Sequence, residues 1–437
     1  MAIRHLSVRN INSRNGGAYY TRAWTFQEFQ FSLRRLVFED DAIEWHCERG
    51  GMREYVFEKA PKSNSFAPDG LDPRSTVHTQ LAAAMPTLMS LEFIIDAFNI
   101  RNLSFPEDAF PAFVGIQNLI EQTYQPGFLY GLSEFWFELA LFWTPYNRCN
   151  LRRRVASTPR PAVKTAYQLP SWSWIGWAGT IHFLGDDIIK DHWLSGNTFT
   201  EPVTMWYTLA DSTSPDRRPI NTGWHRYRSA AIERRLVTLP KGWKEESDNE
   251  GGIVYRHPRR PKAKYLYPFP VPDASSTSVN ISVPQTAFLS AQTSRAFLSG
   301  KRVHTKRFRV CAQYPLWLTS SRGQHVGFLH LSSEEEQSFF KRTGKNSSSM
   351  NPLELVAISK GISAHLGPPD VDWDFEIERL HRKSKYEDIL HRPPVDCMFV
   401  LWIEWKDGVA YRRACGVVTA EAWEREKEKE LVDLILG

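Results

Sequence analysis

The stretch MFVLWIEWKDGVAYRRACGVV (398–418) dictates one element of the fold by itself. Asp407-Gly408 is a type I′ turn dipeptide, whose twist matches that of the strands it joins. The turn sets the register. Glu404 stands opposite Tyr411 and diagonal to Arg413, while Phe399, Leu401, Ile403 and Trp405 share the other face. Glu404 is therefore expected to be a paired, half-exposed carboxylate and not a buried catalytic acid. Other short strand-like runs occupy the chain beyond about residue 165, among them PSWSWIGWAG, VTMWYTL, FRVCAQYPLWL, HVGFLHL and LELVAIS.

The first part of the chain has a different texture. Residues 19–35 (YYTRAWTFQEFQFSLRR) have helical spacing, with Trp24, Gln27 and Glu28 on one face. A hairpin follows if Asp40-Asp41 form its turn: Phe38 faces Ile43 and Leu36 faces Trp45 on a side expected to be buried, with Val37 facing Glu44 on the other. Residues 61–86, punctuated by Pro61, Pro68, Asp69-Gly70 and Pro73, predict a linker. Ser104 lies three residues before Glu107, the spacing of a capping box, with Pro106 in the first turn of a helix whose face holds Phe110, Phe113 and Gln117. SEFWFELALFW predicts a buried helix that stops at Thr144-Pro145. The tail AEAWEREKEKELVDLIL predicts a surface helix capped by Thr419, with Glu424–Lys427 and Glu426–Lys429 pairs. The polar stretches 209–222, 241–252, 256–284 and 341–351 are expected to be loops. The fold class that results is α+β: a short helix-plus-hairpin segment, a helical layer, and a β-rich C-terminal region with long loops.

Composition excludes several classes. A charged share of 24% beside a hydrophobic share of 42% argues for a folded chain, and 437 residues for about two to three domains. Five dispersed cysteines without CxxC spacing argue for a reducing compartment. The most apolar runs, MSLEFIIDAFNI and EFWFELALFW, carry Glu92, Asp96, Glu134 and Glu138, so no membrane span is expected. The first residues hold Arg4, Arg9, Arg14 and Arg22 without an acid, a weak organelle-targeting pattern set against a plain tail; a cytoplasmic location is the expectation.

The chain holds no GxGxxG after a strand, no GxxxxGK[ST], no HExxH and no GxSxG. His46-Cys47 could be a nucleophilic couple, but strand neighbours point to opposite faces. Basic clusters occur at Arg148 with 152–154, at Arg256, Arg259, Arg260, Lys262 and Lys264, and at Lys301, Arg302, Lys306, Arg307 and Arg309. Aromatics beside the second and third could stack on a single strand, yet a net charge of only +5 favours solvated loops, so nucleic acid is not an expected partner. In PSWSWIGWAG, alternation puts Trp172 and Trp174 on one face, as core rings and not as a sugar platform.

Several of these pieces, in this order, resemble proteins of the fungal heterokaryon incompatibility (HET) family. RAWTFQEFQFSLRRLVFEDDAIEWHC (22–47) is similar to the end of the HET domain. LSFPEDAFPAFVGIQNLI and GLSEFWFELALFW (103–143), PSWSWIGWAG (170–179) and the C-terminal β segments resemble the region that follows in such proteins. The matching blocks cover about a third of the chain, and PSWSWIGW and the WTFQE helix are the more specific of them. The family's Leu-Ser-Tyr-x-Trp-Gly and Asp-x-x-Cys-Ile-Asn-Gln motifs, which precede that helix, are missing here, so the chain is expected to be a truncated member, a short form or an incomplete gene model.

The resemblance implies a residual HET-domain end at 1–60, a linker at 61–86, a helical region at 87–165 and a β-rich region with a C-terminal helix at 166–437. The residues it singles out are Arg22, Trp24, Gln27, Glu28, Pro106, Glu107, Asp108, Trp172, Trp174, Glu404 and Trp405, in mainly structural roles. It implies a non-catalytic role in non-self recognition and programmed cell death, with an unidentified protein partner and no cofactor or metal. Two rivals stand beside it. One is an enzyme with an acid/base site near Glu28, drawing on His46 and Asp108; the other is a nucleic-acid-binding protein using the basic loops.

Overall fold

The computed structural model describes residues 18–39, 42–47, 50–53, 56–59, 85, 87–121, 127–145, 151–156, 169–183, 199–233, 238–248, 251–271, 284–302, 316–333, 352–363 and 395–437. It is a mixed α+β fold whose C-terminal part is β-rich. The expected linker, apart from buried Met85, and the expected loop at 341–351 lie outside the described residues.

Helices α1 (Ala18–Thr21) and α2 (Ala23–Phe31) open the described chain, and α2 ends four residues short of the expected helix. Arg34 and Arg35 instead begin a four-stranded antiparallel sheet, β1 (Arg34–Glu39), β2 (Ala42–Cys47), β3 (Gly50–Arg53) and β4 (Val56–Lys59). The register of β1 on β2 is the expected one: Leu36 opposes Trp45, Val37 opposes Glu44 and Phe38 opposes Ile43. The covered face is not. Leu36, Ile43, Trp45 and Met52 are exposed, while Arg35 and His46 on the opposite side are buried. Arg35 explains the inversion, because its guanidinium lies over the Phe29 ring at 4.0 Å and donates to the Phe29 carbonyl, drawing the polar face onto α2.

The helical layer consists of α3 (Leu88–Asn99), α4 (Ala109–Glu121) and the short α5 (Phe137–Leu141). Thr87 caps α3, its side chain accepting from the Ser90 N–H. A single 3₁₀ turn, Pro106–Asp108, leads into α4; its N-cap is Phe105 without a side-chain cap bond, so the expected Ser104 box does not form. All five residues of α5 are buried, as the apolar pattern required, but the helix is shorter than expected at both ends: Ser133 closes a short strand before it, and Trp143–Pro145 goes into a strand paired with Ile181–Phe183.

Six long strands build the C-terminal part: β5 (Phe288–Arg302), β6 (Leu316–Thr319), β7 (His325–Leu331), β8 (Leu353–Ser363), β9 (Val395–Lys406) and β10 (Val409–Thr419). Two successive three-stranded meanders, β5–β6–β7 and β8–β9–β10, join edge to edge, since β7 pairs with β10 and β5 with β8. The six strands thus close on themselves as an antiparallel barrel. Alternate residues separate two cores. Leu298, Leu316, Leu329, Leu355, Val400 and Ala414 belong to a cluster inside the ring, with Trp423 from α6 (Ala420–Arg425) packed into it. Their neighbours Val356, Phe399, Leu401, Ile403, Cys415 and Val417 join the other cluster, shared with the helical layer.

The β9–β10 hairpin turns at Asp407 and Gly408 with φ of 51° and 76°, and Glu404 faces Tyr411 as expected. The tail corrects the reading. Helix α6 ends at Arg425, and β11 (Glu430–Leu436) pairs antiparallel along the first half of β5. Thr419 makes no side-chain cap bond, and the ion pairs are Glu421–Arg425 and Glu424–Lys429. Three of the expected loops also hold strands. Residues 207–209 and 217–219 form a hairpin on β5, and 244–265 hold a three-stranded ribbon under which Trp243, Tyr265 and Phe269 pack edge to face.

Candidate functional site

The residues singled out by sequence fall into two groups in space. The first is centred on an aromatic chain that links four separate stretches of sequence. Phe26 of α2 packs on Phe98 of α3 with ring centroids 5.9 Å apart, Phe98 on Phe113 of α4 at 5.0 Å, and Phe113 meets Trp174 edge-on at 5.0 Å. Edge-to-face geometry suits the ring quadrupoles and adds to the area buried. Around this core, the Arg22 backbone forms a bridge with Asn102, and its carbonyl accepts from Thr25 Oγ1. The Gln27 side chain lies across Gly115 on α4, where any Cβ would meet it at 2.8 Å.

The phase of α2 differs from the expected one. Ala23, Thr25, Phe26 and Gln30 are buried, whereas Trp24 is 41% exposed and Glu28 is exposed. Trp24 is thus not a core ring. Pro106, Glu107 and Asp108 are half-buried in the 3₁₀ turn that starts α4.

PSWSWIGW is wholly interior. Trp172 and Trp174 are fully buried as expected, but so are Ser171, Ser173 and Ile175, because the segment forms a 3₁₀ turn (Trp174–Gly176) and not an alternating strand. Each indole N–H finds a backbone acceptor: Trp172 donates to Ala287 O at 3.0 Å, Trp174 to Gly131 O at 3.1 Å and Trp177 to Ser171 O at 2.9 Å. Ser171 joins this segment to the barrel. Its Oγ donates to the Gly437 carbonyl and accepts from the Arg412 N–H at 2.8 Å.

The second group is at the barrel hairpin. Glu404 pairs with Arg413 at 3.4 Å and is exposed, and Trp405 donates its indole N–H to Glu354 at 2.8 Å. The three residues considered for acid/base chemistry each have surroundings of their own. Glu28 is exposed on α2, His46 is 3.0 Å from Glu44 on β2, and Asp108 precedes α4. Among the described residues no group of three or more His, Cys, Asp and Glu could hold a metal ion.

The basic clusters are partly structural. Arg154 is buried and donates to Asn99 Oδ1 at 2.8 Å and to the carbonyls of Ile175 and Trp177. Burial, with Arg152 and Arg153 beside it, brings its pKa down to about 9. Arg256 pairs with Glu246 at 2.6 Å, and Tyr255, Tyr265, Tyr267 and Phe269 are buried, so the ribbon offers no stack of free rings to a nucleic acid.

Three polar assemblies went unassigned in the sequence. Arg412 is 1% exposed; it lies 3.6 Å from the Trp143 ring centroid, donates to Leu141 O at 2.7 Å and also donates to Trp143 O. Glu134, buried, takes a fork from Arg218 at 2.6 and 3.1 Å. Glu92 and Asp96 of α3 accept the backbone N–H groups of Phe183 and Ile181 at 2.8 and 2.9 Å. The signal for the last pair was present: two acids one helical turn apart inside an otherwise apolar run. Among the described residues no helix is long and apolar enough to cross a membrane. No protein-family model, curated protein or solved structure matches the chain.

Proposed function

We propose that this chain acts as a non-catalytic scaffold of the heterokaryon-incompatibility type, binding a protein partner in non-self recognition and the cell death that follows it. The observation that carries the reading is the aromatic chain. The blocks that bear the resemblance, WTFQE, PEDAFPAF and PSWSWIGW, are far apart in sequence, yet Phe26, Phe113 and Trp174 meet in one core through Phe98. They form a single structural unit, as parts of one module would. The exposed row Leu36, Ile43, Trp45 and Met52 supports a partner-binding role, since contiguous apolar surface of this kind marks interaction sites.

The test is expression of the full chain in a filamentous fungus, scoring dying compartments with a vital dye after fusion with an incompatible strain. The reading expects more death with the chain than without it, and the same death with Glu28→Gln. Equal death with and without the chain sinks the proposal. Loss of death in a folded Glu28→Gln variant would move the assignment to acid/base chemistry near Glu28.

A further inference from the structure

The contact between α3 and the strand Ile181–Phe183 is built around titratable groups. That strand pairs on one side with Trp143–Pro145. On the other side, where no described strand pairs with it, α3 supplies acceptors: Asp96 Oδ1 takes Ile181 N–H and Glu92 Oε2 takes Phe183 N–H. His182 Nδ1 lies 3.0 Å from Glu92 Oε1. The two carboxyls are one helical turn apart, on side chains that neighbour each other, and their strand partners are about 7 Å apart, twice the rise per residue. Both carboxyls are half-buried, and a charge on Glu92 so placed disfavours the ionisation of Asp96. Among the described residues, Glu92 on the helix and His182 on the strand are the charged or titratable groups that face Asp96.

We propose that this contact is a pH-sensitive latch, in which a proton held on Asp96 keeps α3 on the strand Ile181–Phe183 and the grip loosens as pH rises through the neutral range. Burial is the main cause that raises the Asp96 carboxyl, to about 8, with Glu92 adding to it and the Ile181 N–H and His182 opposing. When the contact opens, water returns and the carboxyl goes back towards the ordinary value of about 4. The closed state therefore binds the proton more tightly than the open one. Opening becomes easier as pH rises from about 4 to about 8, by up to about tenfold per pH unit, and then levels off.

The experiment is amide hydrogen exchange of the full chain from pH 5 to pH 9, corrected for the intrinsic exchange rate. Protection at Ile181 and Phe183 is expected to fall at least tenfold between pH 6 and pH 8. Asp96→Asn keeps an oxygen acceptor for Ile181 and removes the titration, so its profile is expected to be flat. His182→Gln is expected to keep the fall above pH 7. A flat wild-type profile overturns the proposal, as does an Asp96→Asn profile that falls like the wild type, or a fall abolished by His182→Gln. Should Asp96→Asn not fold, Glu92→Gln decides: without the neighbouring charge the fall must move to lower pH, and an unmoved fall refutes the latch.

Discussion

Arg412 joins the barrel to the helical layer through a buried charge. It projects from β10, where its guanidinium is stacked on Trp143, bonded to Leu141 O and Trp143 O, and 3.3 Å from Cys415 Sγ. Leu141 is the last residue of α5, so its carbonyl is at the negative end of the helix. Each charge-assisted bond contributes about 1.5–3 kcal/mol and a desolvated cation–π contact about 2 kcal/mol, against a desolvation cost of several kcal/mol. Truncation removes the favourable contributions and takes the charged donor from two buried carbonyls, leaving Trp143 O only the weak Cys415 thiol at 3.2 Å, at about 1–3 kcal/mol for each bond lost. Arg412→Ala should therefore cost about 3–5 kcal/mol. Arg412→Lys keeps a charge but lacks the planar fork that reaches both carbonyls and covers the ring, so about 2 kcal/mol is expected. Urea unfolding followed by tryptophan fluorescence measures both, through the midpoint at unchanged m. A loss under about 1 kcal/mol in Arg412→Ala, or a lysine variant as unstable as the alanine one, would refute the assignment of these bonds.

Four further outcomes follow from the same geometry. Gly131 has φ +82°, and a Cβ there would meet the buried Trp174 ring at 2.5 Å, so Gly131→Ala should lower stability by more than ~2 kcal/mol in urea unfolding. Ser171→Ala removes the hydroxyl between Arg412 N–H and the Gly437 carbonyl; a cost of about 1–3 kcal/mol and faster exchange of the Arg412 amide are expected. The double change Leu36→Ser and Met52→Ser should leave stability within ~0.5 kcal/mol, since both are exposed, while reducing the binding of a hydrophobic dye to the native chain. Glu404→Gln breaks a solvent-exposed pair and should shift stability by less than ~1 kcal/mol, checked in the same urea series.

How much of this could be read from the residues depends on how local the cause is. The β9–β10 hairpin was legible because Asp407-Gly408 settles turn type and register within a few residues. In β1 and β2 alternation gave the register but could not say which face would be covered, a choice made by Arg35 reaching Phe29. In α2 the period was right and the phase wrong, since α3 receives Phe26 and α4 receives Gln27, which leaves Trp24 outside. The tail failed because its Glu/Lys-rich middle favours a helix by propensity, whereas LVDLIL alternates and β5 offers it a strand partner. At the site, Trp172 and Trp174 were legible as core rings. Arg154 and Arg412 were not, because what satisfies each of them is a backbone group from a distant segment.

Strand β5 runs for 15 residues, and its two ends serve different cores. Its first half pairs with β11 beside the helical layer, and its second half pairs with β6 and β8 to close the barrel. Arg295, at the crossover, bonds Glu430 on β11 and Glu354 on β8. Neither half can be peeled away without breaking the ladder that holds the other. The two cores are therefore expected to share one cooperative melting event, with a calorimetric enthalpy equal to the van't Hoff value.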